Sequence, residues 1–158
     1  MERVTLTQLL EEAKVFFEEN YIANPPLILY QTDYGTKDIE KELEPTFSQI
    51  LLQIIKEKGI PETECYKQSN LDRRLFSKIR SNTNYQPSKS TVIALCIGLG
   101  LDFGEAKKLL EVAGFSLSRS IKFDVIAAFL LKKNISDIST ANEVLESFSC
   151  PLLGNNPK

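Results

Sequence analysis

The sequence predicts an all-α protein. Apolar residues recur at helical spacing through most of the 158 residues, cap and stop signals punctuate them at short intervals, and no segment alternates apolar and polar residues as a half-buried strand does. The first helix follows Thr5-x-x-Gln8, the pattern of a capping box, and carries a stripe of Leu6, Leu9, Leu10, Val15, Phe16 and Phe17. The two prolines of "NPPLILYQ" stop it, which makes "LILY" a short extended piece or a strap over the core. "TDYGTKDIEKELEP" is polar, charged and glycine-containing, as linkers are. These features divide the chain into 1–44 (amphipathic helix, strap and acidic linker), a helical domain over 45–154 and a tail at 155–158.

Helical signals then follow closely. "PTFSQILLQIIKEKG" keeps Phe47, Ile50, Leu51, Ile54 and Ile55 on one face and stops at Gly59. "PETECYKQSN" is barely two turns long, with Pro61 suited to a first helical position. "LDRRLFSKIRS" has Asp72 as N-cap and Leu75, Phe76 and Ile79 at helical spacing. After the turn cluster "SNTNYQP", "SKSTVIALCIGLG" is apolar nearly all round, as a central core helix is. "LDFGEAKKLLEVAG" opens on Asp102-x-x-Glu105 and ends at Gly114, and "SRSIKFDVIAAFLLKKN" and "TANEVLESF", the latter with Thr140-x-x-Glu143, complete the series.

Composition excludes several function classes. With no histidine, and with Cys65, Cys96 and Cys150 far apart, the usual zinc sites and the Ser-His and Cys-His nucleophile arrangements are absent. Cys96, inside an apolar run, reads as a small core residue. No GxGxxG, phosphate loop or paired-carboxylate spacing is present, so neither a cofactor nor an enzymatic activity is expected. No run approaches the roughly 20 apolar residues of a membrane span. Glu11, Glu12, Glu18 and Glu19 also oppose a membrane-surface role for the first helix. "MERVTLTQLLEEAK" does not read as a targeting segment, which makes the cytoplasm the default.

The formal net charge of −2 conceals a segregation. Residues 1–55 hold ten acidic and four basic side chains, residues 56–89 hold four acidic and eight basic, and the remainder balances at seven of each. Local potential governs association with a polyanion, so the central third is the candidate surface. Four of its basic side chains fall within residues 72–80. Charges on a helix are commonly no more than its solvated face, and Arg73, Arg74, Lys78 and Arg80 fit that description too. Against it stands the sequence of lengths: two very short helices across a tight turn, then a core helix, the build of a helix-turn-helix unit.

Residues 54–101, "IIKEKGIPETECYKQSNLDRRLFSKIRSNTNYQPSKSTVIALCIGLGL", resemble the five-helix lambda-repressor-type (Xre-type) helix-turn-helix domain of bacterial and phage regulators. The resemblance rests on the "EKGI" lead-in, the short second helix, "NLDRRLFSKIRS" as the third, the proline loop and "TVIALCIGLGLD" as the fourth. The remainder, through "DVIAAFLLKKN" to "ANEVL…CPLLG", resembles a subgroup with extra C-terminal helices. The resemblance implies a double-stranded DNA partner and a transcription regulator whose recognition helix spans 72–80. Arg73 and Arg74 would lie nearest base edges or flanking phosphates, with Ser77 and Lys78 on the same face. Arg80, Tyr85 and Lys89 would touch the backbone, although the ring of Tyr85 is equally suited to packing under its loop. Many members begin the second helix with Ser-Gln, which grips a phosphate; here Pro61-Glu62 replaces that pair, and Thr63 substitutes only in part.

Two expectations therefore stand side by side. One is a DNA-binding regulator that forms a homodimer through the N-terminal helix or the extra C-terminal helices. The other is a helical interaction module, an anti-defence or signalling adaptor, whose acidic residues 1–44 bind a protein partner or fold over the basic patch.

Overall fold

The computed structural model describes residues 5–21 and 45–154, so the expected strap and linker lie outside the described residues. Those described form eight helices and no strand: α1 (Leu6–Asn20), α2 (Phe47–Lys58), α3 (Glu62–Gln68), α4 (Arg73–Ser81), α5 (Lys89–Gly98), α6 (Phe103–Val112), α7 (Lys122–Lys132) and α8 (Ile138–Ser147). The chain is all-α, as its periodicity predicts. None of these helices is long and apolar enough to cross a membrane.

Local chemistry sets the ends. Thr5 with Gln8 and Asp102 with Glu105 form reciprocal capping boxes, and Thr46 with Gln49 makes a third at the start of α2. Gly59 and Gly114 end their segments at φ 64° and 85°, where a side chain is disfavoured. Two starts differ from expectation. Pro61 is the N-cap of α3, one residue before the first helical position. For α8 the cap is Asp137, not Thr140: its carboxylate accepts from the Ser139 and Thr140 amides and from the Thr140 hydroxyl, so the helix opens a turn earlier.

Helix α5 is the centre of the molecule. Residues 92–98 are all buried, and α3, α6, α7 and α8 pack around it. Its closest approach is at Gly98, beneath the turn between α3 and α4. A Cβ there would lie 2.2 Å from Ser69 Oγ and 2.8 Å from Ser69 N. That turn is also held from the C-terminus. Asn70, at φ 55°, donates from Nδ2 to the Leu153 carbonyl, and Asn142 both accepts from Leu153 N at 2.7 Å and donates to its carbonyl. The extra C-terminal residues thus brace the same turn that α5 supports from below.

Helix α1 packs on this core. Leu9 and Ala13 are buried, and Phe16 and Phe17 pack on Phe129 of α7 and Phe148 after α8. Glu12 pairs with Lys133, and Arg119 Nε donates to the Asn20 carbonyl at 2.9 Å. The expected stripe is therefore narrower than the sequence pattern: Leu6 and Val15 remain 42% and 52% exposed. Helices α7 and α8 thus cover the part of its apolar face around Leu9 and Ala13.

Candidate nucleic-acid interface

Nine residues make an unstable helix in isolation, so α4 exists through its inner face. Phe76 and Ile79 are buried and Leu75 is half-buried, each large apolar side chain contributing about 1.5–3 kcal/mol. The ring of Phe76 meets that of Tyr66 on α3 at 5.9 Å, fixing the two short helices against each other. The four residues 69–72 join them, and Asp72 accepts a 2.8 Å bond from the Arg74 amide, capping the N-terminus.

The outer face is basic. Arg73, Arg74, Lys78 and Arg80 are exposed and Ser77 is half-exposed. Helical spacing sorts them into two neighbouring rows. Arg73, Ser77 and Arg80 share a polar depression of about 300 Å³ with Glu62, Thr63 and Tyr66 of α3. Arg74 and Lys78 form the row beside it. Arg73, Arg74 and Lys78 have no carboxylate within ion-pair distance among the described residues. No described element covers this face.

Arg80 is the exception, since its Nη1 lies 2.9 Å from Glu62 Oε2. Both side chains are well exposed, at 57% and 39%, so water and salt screen the pair and it contributes at most about 1 kcal/mol. Glu62 thus lowers the positive potential of the depression without locking it, and a phosphate has only a weak bond to displace. Immediately before Glu62, α3 starts on Pro61 with no side-chain cap.

Two of the expected contact residues do not join this surface. Lys89 Nζ is 2.7 Å from Asp124 Oδ2, and the two side chains are only 25% and 2% exposed. Its ammonium compensates a buried carboxylate and ties the start of α5 to α7, so it is already engaged within the fold. Tyr85 is half-buried against the core and lines a separate hollow with Thr46, Phe47 and Val112, which is the packing alternative for its ring. The sequence reading brought together Thr63, Arg73, Arg74, Ser77, Lys78 and Arg80. It missed the Glu62–Arg80 pair, although both residues were marked out by charge, because 18 residues separate them.

Among the described residues no three metal-ligating side chains gather. Compared with protein-family models, with curated proteins and with solved structures, the chain matches none of them.

Proposed function

We propose that this chain is a DNA-binding transcriptional regulator of bacterial or phage type, with no enzymatic activity, in which α4 reads the major groove. In this reading α2 to α6 are the five helices of a lambda-repressor-type domain, and α1, α7 and α8 are additions packed around it. One observation carries the proposal: a short helix, set by a four-residue turn, presents Arg73, Arg74 and Lys78, with no carboxylate in ion-pair distance among the described residues, on a face that no described element covers. Arg73 and Arg74, in the first turn, are placed to donate paired hydrogen bonds to guanine O6 and N7. Lys78, Arg80 and Thr63 supply phosphate contacts that fix register without reading sequence. A nine-residue helix covers only a few base pairs, so two subunits are needed for a site of useful specificity.

The Arg80–Glu62 pair and the uncapped start of α3 favour a second reading, in which the scaffold has exchanged DNA for a protein partner. Selection of bound sequences from a random duplex pool separates the two. A regulator enriches a short motif, and Arg73→Ala relaxes the preference at one or two positions at a cost of about 1–3 kcal/mol. An adaptor returns the unselected pool.

A further inference from the structure

A hollow of about 440 Å³ lies between α1, α6 and α7, inside the range of small-molecule sites, roughly 300–1,000 Å³. It is far from α4 in sequence and function, and nothing assigned to the basic face uses it. Phe16 from α1, Phe103 and Leu110 from α6, Phe115 and Leu117 from the loop after it, and Val125 and Ala128 from α7 supply its apolar surface. Three of these seven are flat rings, which suits a planar ligand better than a sugar or a bare phosphate.

Its charges are unbalanced. Lys107, Arg119 and Lys132 line it against Glu111 and Asp124. The Asp124 carboxylate is already partnered through Oδ2, which accepts from Lys89 Nζ at 2.7 Å and from the Ser118 amide at 2.8 Å. Lys89 itself does not line the hollow. Lys132 is the telling group: its ammonium lies 5.2 Å from the Phe16 ring centroid and 4.9 Å from that of Phe103. Among the described residues no carboxylate is within ion-pair distance of it, although Glu11, Glu12 and Glu19 of α1 line the adjoining groove that it also borders. The two rings hold this cation at the wall with its N–H donors free of any hydrogen bond among the described residues. Arg119 gives its Nε–H to the Asn20 carbonyl, and among the described residues no carboxylate is within ion-pair distance of it either.

We propose that this hollow binds a small carboxylate with a flat apolar body, the body against the phenylalanine rings and the carboxylate against Lys132. Such a ligand would bridge α1 to α6 and α7, and its binding is independent of whether α4 contacts DNA.

The chain has no tryptophan, so naphthalene fluorescence reads binding with only the five tyrosines as background. The full chain is titrated into 1-naphthylacetate and, separately, into the isosteric neutral 1-naphthylacetamide. The expected result is saturable one-to-one binding of the acid, with the amide about tenfold weaker, the discrimination of one partly screened ion pair. Lys132→Met weakens the acid about tenfold and leaves the amide nearly unchanged. Ala128→Phe, which fills the hollow from α7, removes both, with its far-UV circular dichroism recorded alongside. Three outcomes overturn the proposal: no saturable binding, equal affinity for acid and amide, or acid binding that Lys132→Met leaves unchanged. If Ala128→Phe fails to fold, the amide comparison and the exposed Lys132 variant still decide.

Discussion

Gly98→Ala should destabilise this protein, although an alanine in place of a helical glycine ordinarily does the opposite. The added Cβ would stand 2.2 Å from Ser69 Oγ, 2.8 Å from Ser69 N and 2.9 Å from Ser69 Cα. A rotamer change can clear the hydroxyl but not the two backbone atoms. Ordinary contact begins near 3.4 Å, so α5 and the α3–α4 turn must separate by roughly half an ångström or more. Overpacking of this kind costs about 1–3 kcal/mol, and the helix-propensity gain returns at most about 1 kcal/mol. With the full gain taken, the net loss is up to about 2 kcal/mol, a fall in Tm of up to about 8 °C for a chain of this size. Gly104→Ala is the control. Its Cβ would meet nothing closer than Asp102 Oδ1 at 3.4 Å, so that variant gains about 0.5 kcal/mol. Urea unfolding followed by far-UV circular dichroism measures both. If Gly98→Ala is as stable as the parent, the close approach beneath the turn is wrong, and with it the account of how α4 is positioned.

Two further outcomes follow from buried groups. Lys89→Met leaves the Asp124 carboxylate buried with only the Ser118 amide, which should cost about 3–5 kcal/mol in urea unfolding, while Lys89→Met with Asp124→Leu recovers most of that loss. Burial pushes the Cys65 and Cys96 thiols up to about 12. The folded state thus favours the neutral thiols, and their contribution is complete below the unfolded thiol range near pH 8.5–9 and lost as pH rises toward 12. Chemical unfolding should therefore show stability declining above about pH 9, and native-state alkylation at pH 8 should leave both residues unmodified until the chain unfolds.

Helix existence was legible because capping chemistry is local. Thr5 with Gln8, Asp72, and Asp102 with Glu105 act within three residues of themselves, and Gly59 and Gly114 mark stops by their own backbone angles. Thr140 misled because two oxygen-bearing side chains three residues apart compete for one helix start, and the carboxylate of Asp137 reaches two amides at once. Long-range pairings left no periodic trace. Lys89 looks like any basic loop residue until Asp124, 35 positions on, appears buried beside it. The docking of α1 onto α7 and α8 was hidden for the same reason, since an amphipathic stripe says that a face is covered but not by what. On α4 the inward set and the outward charges both followed from helical spacing. The partial neutralisation of Arg80 required the fold to place Glu62 across the depression.

The most direct test of the central claim is the salt dependence of duplex DNA binding, read by fluorescence anisotropy on the full chain. Lys78 and the partly neutralised Arg80, the two cationic phosphate contacts, predict a slope of log K against log salt between about −0.9 and −1.8 per subunit, falling in size by about one for Lys78→Ala, whereas Arg73→Ala and Arg74→Ala lower the affinity for the selected site. Glu62→Gln releases Arg80 and should steepen the slope. No binding at about 50 mM salt, where attraction to phosphate is exaggerated, or an affinity indifferent to Arg73→Ala and Arg74→Ala, would contradict the assignment of this face to DNA.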